Sequence, residues 1–296
     1  MKNQLLLFAL CFLSFNLKSQ TDSTGLPGDH FSLEGALELF KQANSPEEFE
    51  KLINTESKQV NNLDLNNDGE IDYIKVIGKK EKDAHIFILQ IPISETENQD
   101  IAVIEIEKKG KSEANIQIVG DEDIFGEERI VEPSDGSVID DEEDDSDGGP
   151  SPYGYKYTRV IFNVWTWPCV MFVYAPTYVV WTSPWRWHHY PGFWRPWRPL
   201  AWHVWHPYRA RYFGPSVRVV HTHRLIAAHR MYSPVRVHST MVRTRYAGAH
   251  KNYTVTRKKT TVTGPKGHSR TKTKTTVRGP KGHVRAQRTK VRRGRH

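Results

Sequence analysis

One short segment of the chain carries oxygen side chains at the spacing of a calcium-binding loop. It reads Asp64-Leu65-Asn66-Asn67-Asp68-Gly69-Glu70-Ile71-Asp72. Calcium takes about six to eight hard oxygen ligands, and a glycine at the sixth position permits the sharp turn that wraps them around the ion. We therefore predict a structural Ca²⁺ site. Its ligands are the side chains of Asp64, Asn66, Asp68 and Asp72 and the carbonyl oxygen of Glu70.

This segment departs from an EF-hand. An EF-hand needs a bidentate Glu at its twelfth position, which is Lys75 here. The segment instead resembles the DxNxDGxxD calcium loops that lead into β-strands, as in integrin-like propeller repeats. A weak site, in the range of about 10⁻⁴ to 10⁻³ M, is expected. The alternative is a metal-free turn in which Asp68 and its neighbours bond to their own backbone.

A second group of residues suits the binding of anions. Trp, Arg, His and Pro are interleaved from Trp185 to Arg211. Indole rings favour the boundary between apolar and aqueous surroundings, and arginine binds phosphate or sulfate through a bidentate fork. The predicted polyanion-binding residues are Arg186, Arg195, Trp197, Arg198, Arg209 and Arg211. The alternative is that the Trp rings pack together and the Arg side chains are merely solvated.

Twelve of the 14 histidines lie in the second half of the chain. The closest pairs are His188 with His189, His203 with His206, and His221 with His223. These pairs suggest a transition-metal site, but no Asp or Glu follows Pro150 to complete one, so the sequence does not favour it. His85 stands alone in an apolar run and is predicted to be a structural, hydrogen-bonded residue.

Charge divides the chain into two halves. All 34 Asp and Glu residues lie at or before Asp147, whereas 29 of the 42 Lys and Arg residues lie after it. An acidic run from Asp140 to Asp147 ends in Gly-Gly-Pro, a composition typical of a solvated linker. No GxSxG, Walker, HExxH or CxxC motif is present, so the sequence does not indicate an enzyme.

Export is predicted from the first residues. A charged start is followed by the apolar run Leu5 to Phe15, which is shorter than the ~20 residues of a membrane span. The protein is therefore expected in the periplasm, on the outer membrane surface or outside the cell, although a membrane anchor is the alternative. Without that segment Cys169 is the only cysteine, so an intrachain disulfide is excluded.

The first half is predicted to be an α+β domain. Ser32 and Ser45 precede apolar stripes and act as N-caps of two short helices. Four apolar runs follow, at 73–77, 85–93, 101–106 and 115–119, with a possible fifth at 129–131. Short breaks predict an antiparallel meander of four to five strands. One face is expected to be solvated because Lys75, Glu105, Glu107 and Gln117 interrupt the runs.

The second half is predicted to be irregular. Residues 160–185 carry no charge, but Pro168, Pro176 and Pro184 break any long helix. We expect a hairpin of strands 157–165 and 170–174 and a short helix within 200–213; a membrane-inserted segment is the alternative. The sequence Lys259–His268 returns fifteen residues later as Lys274–His283, in a tail too polar to bury a core and therefore predicted to be disordered.

These features predict six segments. They are a signal peptide (1–19), a flexible segment (20–30), the α+β domain (31–133), an acidic linker (134–150), a Trp/Pro/His-rich basic region (151–246) and a disordered basic tail with the 15-residue repeat (247–296).

Residues 62–78, 99–108 and 117–122 together resemble a family of uncharacterised exported bacterial proteins. Members of that family pair such a domain with a Trp/Pro-rich basic half, so the resemblance implies the architecture and no activity. We expect a non-enzymatic envelope protein that binds a polyanion: anionic lipid, lipopolysaccharide, acidic glycan or extracellular DNA. Association with a membrane surface fits this expectation, and sequence-specific nucleic-acid recognition does not. The alternative is a calcium-stabilised structural or scaffolding module that binds protein partners.

Overall fold

The structure is a computed structural model. It describes residues 23–134, 162–212, 214, 216–220, 223 and 225–252, and the backbone of residues 254–263, 269–278 and 284–294. The predicted signal peptide and, apart from Ser134, the predicted acidic linker lie outside the described residues. Among the described residues, no helix has both the length and the apolar character that crossing a bilayer requires.

Six strands form one antiparallel sheet in the order β1 to β6. They are β1 (Lys75–Glu81), β2 (Ala84–Pro92), β3 (Asn98–Gly110), β4 (Glu113–Gly120), β5 (Arg129–Pro133) and β6 (Val217–Val220). The acidic half supplies the first five strands. The basic half supplies β6, which pairs with β5 through Val131 and Val219. The α+β class is therefore confirmed, and both halves contribute to one sheet.

Two capped helices cover one face of this sheet. In α1 (Leu33–Gln42) the Ser32 hydroxyl accepts the Gly35 N–H at 3.0 Å, and in α2 (Pro46–Ile53) the Ser45 hydroxyl accepts the Glu48 N–H at 3.1 Å. These bonds satisfy backbone donors that a helix start leaves free. The buried apolar stripes of both helices pack on alternate sheet residues such as Phe87.

The opposite face of the sheet is also covered. Helix α6 (Ile226–Tyr232) packs on β2 and β3, and its residues Ala228 and Tyr232 join a second buried apolar cluster. Glu105, Glu107 and Gln117 are buried beneath it. The prediction of a solvated face is therefore wrong, because the basic half supplies a layer that the first half lacks.

The described part of the basic half is more helical than predicted. Its helices are α4 (Pro168–Val173), α5 (Trp202–Ala210), α6 and α7 (Thr240–Asn252); α3 (Glu122–Phe125) belongs to the acidic half. Residues 162–165 are not in a strand, and α4 occupies the second strand of the predicted hairpin, so the hairpin prediction is wrong there. Pro168 starts α4, a position where its missing N–H costs no hydrogen bond. Cys169 is buried and unpaired, and α5 lies within the range predicted for a helix.

Two segments predicted to lack structure are ordered. Within 20–30, a 3-10 turn spans Pro27–His30 and Leu26 is buried. The tail forms an antiparallel sheet of β7 (Thr254–Thr263), β8 (Ser269–Arg278) and β9 (Val284–Gly294). These strands begin fifteen residues apart, so the sequence repeat is a repeat of strands and the prediction of disorder is wrong.

Candidate functional sites

The loop predicted to bind calcium is folded around its own oxygens. Asp64 accepts the N–H groups of Asp68 at 3.1 Å and Gly69 at 3.0 Å through its two carboxylate oxygens. Asp68 in turn accepts the Glu70 N–H at 2.9 Å and the Asn66 amide at 2.7 Å. Gly69 has a φ of 87°, the left-handed conformation that glycine adopts without strain. The structure thus brings the predicted side chains of the loop together at one turn.

Asp72 is the buried member of this loop. Its carboxylate accepts the Leu65 N–H at 2.5 Å, and it is 7% exposed. Burial raises the pKa of Asp72 well above its ordinary value, and the nearby charges of Asp64 and Asp68 raise it further. Three carboxylates are therefore close enough to repel one another, which is the arrangement that a bound cation relieves.

The predicted cationic residues divide into two groups. Arg186, Arg195, Arg198 and Arg211 are exposed, whereas Trp197 is partly buried and Arg209 is buried. The Arg209 guanidinium donates to the carbonyl oxygens of Gly28 and Asp29. Arg209 therefore anchors α5 to the start of the domain and does not offer its charge to a ligand.

Two of the exposed arginines already contact backbone. Arg195 donates to the Trp194 carbonyl at 2.7 Å, and Arg211 donates to the Lys58 carbonyl. Trp197 accepts the Ile71 N–H through its carbonyl oxygen at 2.8 Å, so the cationic segment runs beside the calcium loop. Trp194 is buried and packs edge to face on Tyr73. Part of the Trp-rich segment thus packs on the domain, as its alternative interpretation states.

The tail sheet concentrates positive charge. Its three strands contain twelve Lys and Arg residues and no Asp or Glu. The register places Lys258 opposite Lys274, and Arg270 opposite Arg293. Like charges directly opposite on neighbouring strands destabilise a sheet. Anions that screen these charges would therefore stabilise it.

Carboxylates of the acidic half hold the second half in place. Arg236 pairs with Asp121, Asp123 and Glu122, and Arg218 pairs with Glu132 at 3.2 Å. Ser239 and Val237 donate backbone N–H groups to Gln99 and Asp100, both at 2.8 Å. The opposite charges of the two halves thus meet directly in the folded chain.

A cluster of chemically active side chains lies at this contact. The cluster consists of Glu105 in β3, His229 in α6 and His223, which precedes α6. One possible metal-ligand atom from each residue lies within 4.8 Å of those from the other two residues. His229 Nδ1 is 3.3 Å from Glu105 Oε1, and the two imidazole ring centroids are 3.9 Å apart. Burial raises the pKa of Glu105, while the hydrogen bond to Glu105 raises the pKa of His229. The site therefore combines a buried carboxylate with two imidazoles.

Sequence patterns did not reveal this cluster. Of the pair His221 and His223, His221 lies outside the described residues, whereas His223 lies against His229, and the carboxylate comes from the other half of the chain. The signal for this carboxylate in the sequence is Glu105 itself, a charged residue between Ile104 and Ile106 in the otherwise apolar run 101–106. His85 is buried as predicted, yet neither ring nitrogen has a hydrogen-bond partner among the described residues.

Comparisons of the chain with protein-family models, with curated proteins and with solved structures found no match.

Proposed function

We propose that the protein is a non-enzymatic, exported envelope protein that binds polyanions through its basic tail sheet. The observation that carries this proposal is the charge of β7–β9, twelve cationic side chains without one carboxylate. The acidic half is the folded domain that holds the basic half in place. Its carboxylates engage arginines that precede the tail in the chain, such as Arg236, which pairs with Asp121.

The cross-strand register gives the physical reason. Lys258 and Lys274 face each other in the ladder, as do Arg270 and Arg293. Folding the sheet brings these charges together, and a polyanion both offsets their repulsion and releases its own counterions. Binding is therefore coupled to the stability of the sheet.

The exposed arginines of the Trp-rich segment extend the cationic surface. Arg186, Arg195 and Arg198 are exposed, and so is Phe193, which lies between the first two of them in the sequence. Aromatic rings beside arginine favour the boundary of a lipid headgroup layer or the face of a sugar. Lipopolysaccharide, anionic phospholipid, acidic glycan and extracellular DNA all offer the required phosphate or carboxylate groups.

The experiment measures the salt dependence of binding by the purified full chain to heparin, lipid A vesicles and DNA. The slope of log affinity against log salt falls by about 0.7 to 0.9 for each phosphate contact removed. We expect Lys272→Gln with Lys274→Gln to reduce the slope by about 1 to 2. Lys79→Gln with Lys80→Gln, an exposed lysine pair at the end of β1, is the matched control and leaves it unchanged.

Two results contradict this proposal. One is the absence of binding to all three polyanions at low ionic strength. The other is binding whose strength does not change with salt or with the two tail substitutions. A parallel variant, Arg195→Gln with Arg198→Gln, separates the Trp-rich segment from the tail, because it lowers retention on lipid vesicles without changing the tail's slope on DNA.

A second candidate function is a calcium-stabilised structural module, favoured by the geometry of the loop 64–72. Asp64, Asp68 and the buried Asp72 lie close enough for the first two charges to raise the pKa of the third. A Ca²⁺ ion ligated by Asp64, Asn66, Asp68, Asp72 and the Glu70 carbonyl would relieve that repulsion and fix the loop beside Trp197. In this role the second half binds protein partners.

Thermal unfolding with calcium and with chelator tests this candidate. We expect calcium to raise the unfolding temperature, since an ion that binds only the folded state stabilises it by mass action. Asp64→Asn with Asp68→Asn abolishes the rise, whereas Asp83→Asn in the exposed β1–β2 turn preserves it. Equal unfolding temperatures in calcium and in chelator would contradict a structural role for calcium.

A further inference from the structure

The cluster beneath α6 has the composition of a metal-binding site. We propose that Glu105, His223 and His229 bind a divalent transition-metal ion of the Zn²⁺ class and thereby join the two halves of the chain. Their ligand atoms lie within 4.8 Å of one another. Two imidazole nitrogens and one carboxylate oxygen are a ligand set that zinc and iron(II) use, whereas calcium requires oxygens throughout.

The distance between the two best-placed atoms fits tetrahedral coordination. His229 Nδ1 and Glu105 Oε1 are 3.3 Å apart. Metal–ligand bonds of about 2.0 to 2.2 Å separate two tetrahedral ligands by roughly 3.3 to 3.6 Å. An ion can therefore enter between these atoms with little movement of either side chain.

Unused lone pairs in the cluster support a missing ligand. Glu105 Oε2 and His223 Nδ1 are buried and have no hydrogen-bond partner among the described residues. Glu105 is 0% exposed. A buried polar atom without a partner costs about 1 to 3 kcal/mol, and more when it is charged. A metal ion bound by His223 Nδ1 supplies the partner that this nitrogen lacks, and its positive charge stabilises the buried carboxylate of Glu105.

The outer hydrogen bonds orient the rings for coordination. His223 Nε2 is 3.0 Å from Glu128 Oε2, and His229 Nε2 is 3.4 Å from the Ser233 hydroxyl. Metal-ligating histidines commonly donate their second ring N–H to a carboxylate or another oxygen. Each ring thus has one nitrogen held by an outer partner and the other, Nδ1, left for the ion.

The short distance between the two imidazole rings disfavours a site in which both histidines are protonated. Their ring centroids lie 3.9 Å apart at an interplanar angle of 37°. Two imidazolium charges at this distance repel each other, whereas metal binding requires both rings to be neutral. The side chains of His223 and His229 retain 20% and 28% exposure, so the cluster is partly accessible from solvent.

The test titrates Zn²⁺ into the full chain in excess calcium, which keeps the 64–72 loop out of the measurement. We expect one zinc ion per chain and an unfolding temperature that rises with zinc. His223→Gln and His229→Gln each weaken binding roughly tenfold or more. His238→Gln, an exposed histidine in the same half, is the matched control and leaves affinity unchanged. Co²⁺ in place of zinc gives the visible absorption of a tetrahedral nitrogen and oxygen site in the wild type.

A further variant guards against loss of folding. Glu128 is 51% exposed and its carboxylate bonds the second nitrogen of His223, so Glu128→Gln preserves the fold while lowering zinc affinity. Absence of saturable zinc binding overturns the proposal, as does binding that is equal in the wild type, His223→Gln and His229→Gln. Neither outcome affects the polyanion proposal, since Glu105, His223 and His229 lie outside the tail strands.

Discussion

Arg236 forms a bidentate ion pair with Asp121, which lies 115 residues earlier in the chain. Its Nε and Nη2 atoms are 2.6 and 3.0 Å from the two carboxylate oxygens. Asp121 also accepts the Asp123 N–H at 2.8 Å and so caps α3. One carboxylate therefore starts a helix of the acidic half and holds the segment between α6 and α7 of the basic half.

Removal of this arginine should destabilise the whole fold. The Asp121 side chain is 1% exposed, and a buried charge that loses its partner costs about 3 kcal/mol or more. We expect Arg236→Met to lower the free energy of unfolding by that amount in urea denaturation. Arg243→Met is the control, because Arg243 pairs with Asp123 at 44% exposure and contributes less than about 1 kcal/mol. Equal losses in the two variants would show that the bidentate pair has no special role.

His85 should make the protein acid-labile. Burial and, to a smaller extent, the charge of Lys80 lower the pKa of this ring to about 4. The unfolded chain, with a histidine pKa near 6.5, binds more protons than the folded chain between these values, so stability falls as pH drops from about 6.5 to 4. We expect His85→Phe to remove roughly 2 kcal/mol of this loss, measured by urea denaturation at neutral pH and near pH 4.5.

The ring of His85 packs on Tyr174 at a centroid distance of 4.6 Å, a contact that phenylalanine retains. The exposed His238 is the control, and His238→Phe should leave the pH profile of the wild type unchanged. A His85→Phe profile that coincides with the wild type would assign the acid sensitivity to other groups.

Gly78 is required where the basic half crosses β1. Its N–H donates to the Trp181 carbonyl at 2.8 Å, and a Cβ at this position would lie 2.6 Å from that same oxygen. Gly78→Ala should therefore cost about 1 to 3 kcal/mol by forcing the strand and the Trp181 segment apart. In Gly110→Ala the nearest heavy atoms are 3.7 Å away, and the change should stay below about 1 kcal/mol. Chemical denaturation of both variants measures the difference.

Glu50 should act as a buried acceptor rather than a surface acid. It accepts hydrogen bonds from the Val76 N–H, the Tyr73 hydroxyl, the Ser183 hydroxyl and the Trp181 indole. The Val76 N–H and the Trp181 indole N–H can only donate, and both bond Oε2, whereas the two hydroxyls at Oε1 can also accept. We expect Glu50→Leu, which removes both acceptor oxygens, to cost about 2 to 4 kcal/mol, and Glu47→Leu, exposed on the same helix, to cost almost nothing. A thermal melt in which the two variants coincide would contradict this role.

Local rules predicted the acidic half well. Ser32 and Ser45 cap the helices that their positions predict, and the apolar runs from residue 73 to 119 correspond to β1–β4. Helix caps, apolar periodicity and short turns each depend on residues that are close together in the sequence. They can therefore be predicted without a structure. The loop 64–72 belongs to the same category, because the side chains predicted to bind calcium lie within nine consecutive residues.

The same rules were wrong where a residue type has two uses. Pro168 predicts a break in helical structure but begins α4, since proline fits the first turn of a helix. The polar composition of the tail predicts disorder, yet its 15-residue repeat matches the spacing of β7, β8 and β9. The composition of a segment indicates how it interacts with water. It does not indicate whether parts of the segment can pair with one another as β-strands.

The sequence by itself determined the capped helices, the meander, the calcium-type loop and the opposite charges of the two halves, because each depends on neighbouring residues or on simple counts. Only the tertiary structure decided that these charges meet. It buried Glu105, Glu107 and Gln117 under α6, and it placed His229 against a carboxylate 124 residues away. Contacts over that separation depend on how both faces of the sheet are covered, and no local pattern encodes that arrangement.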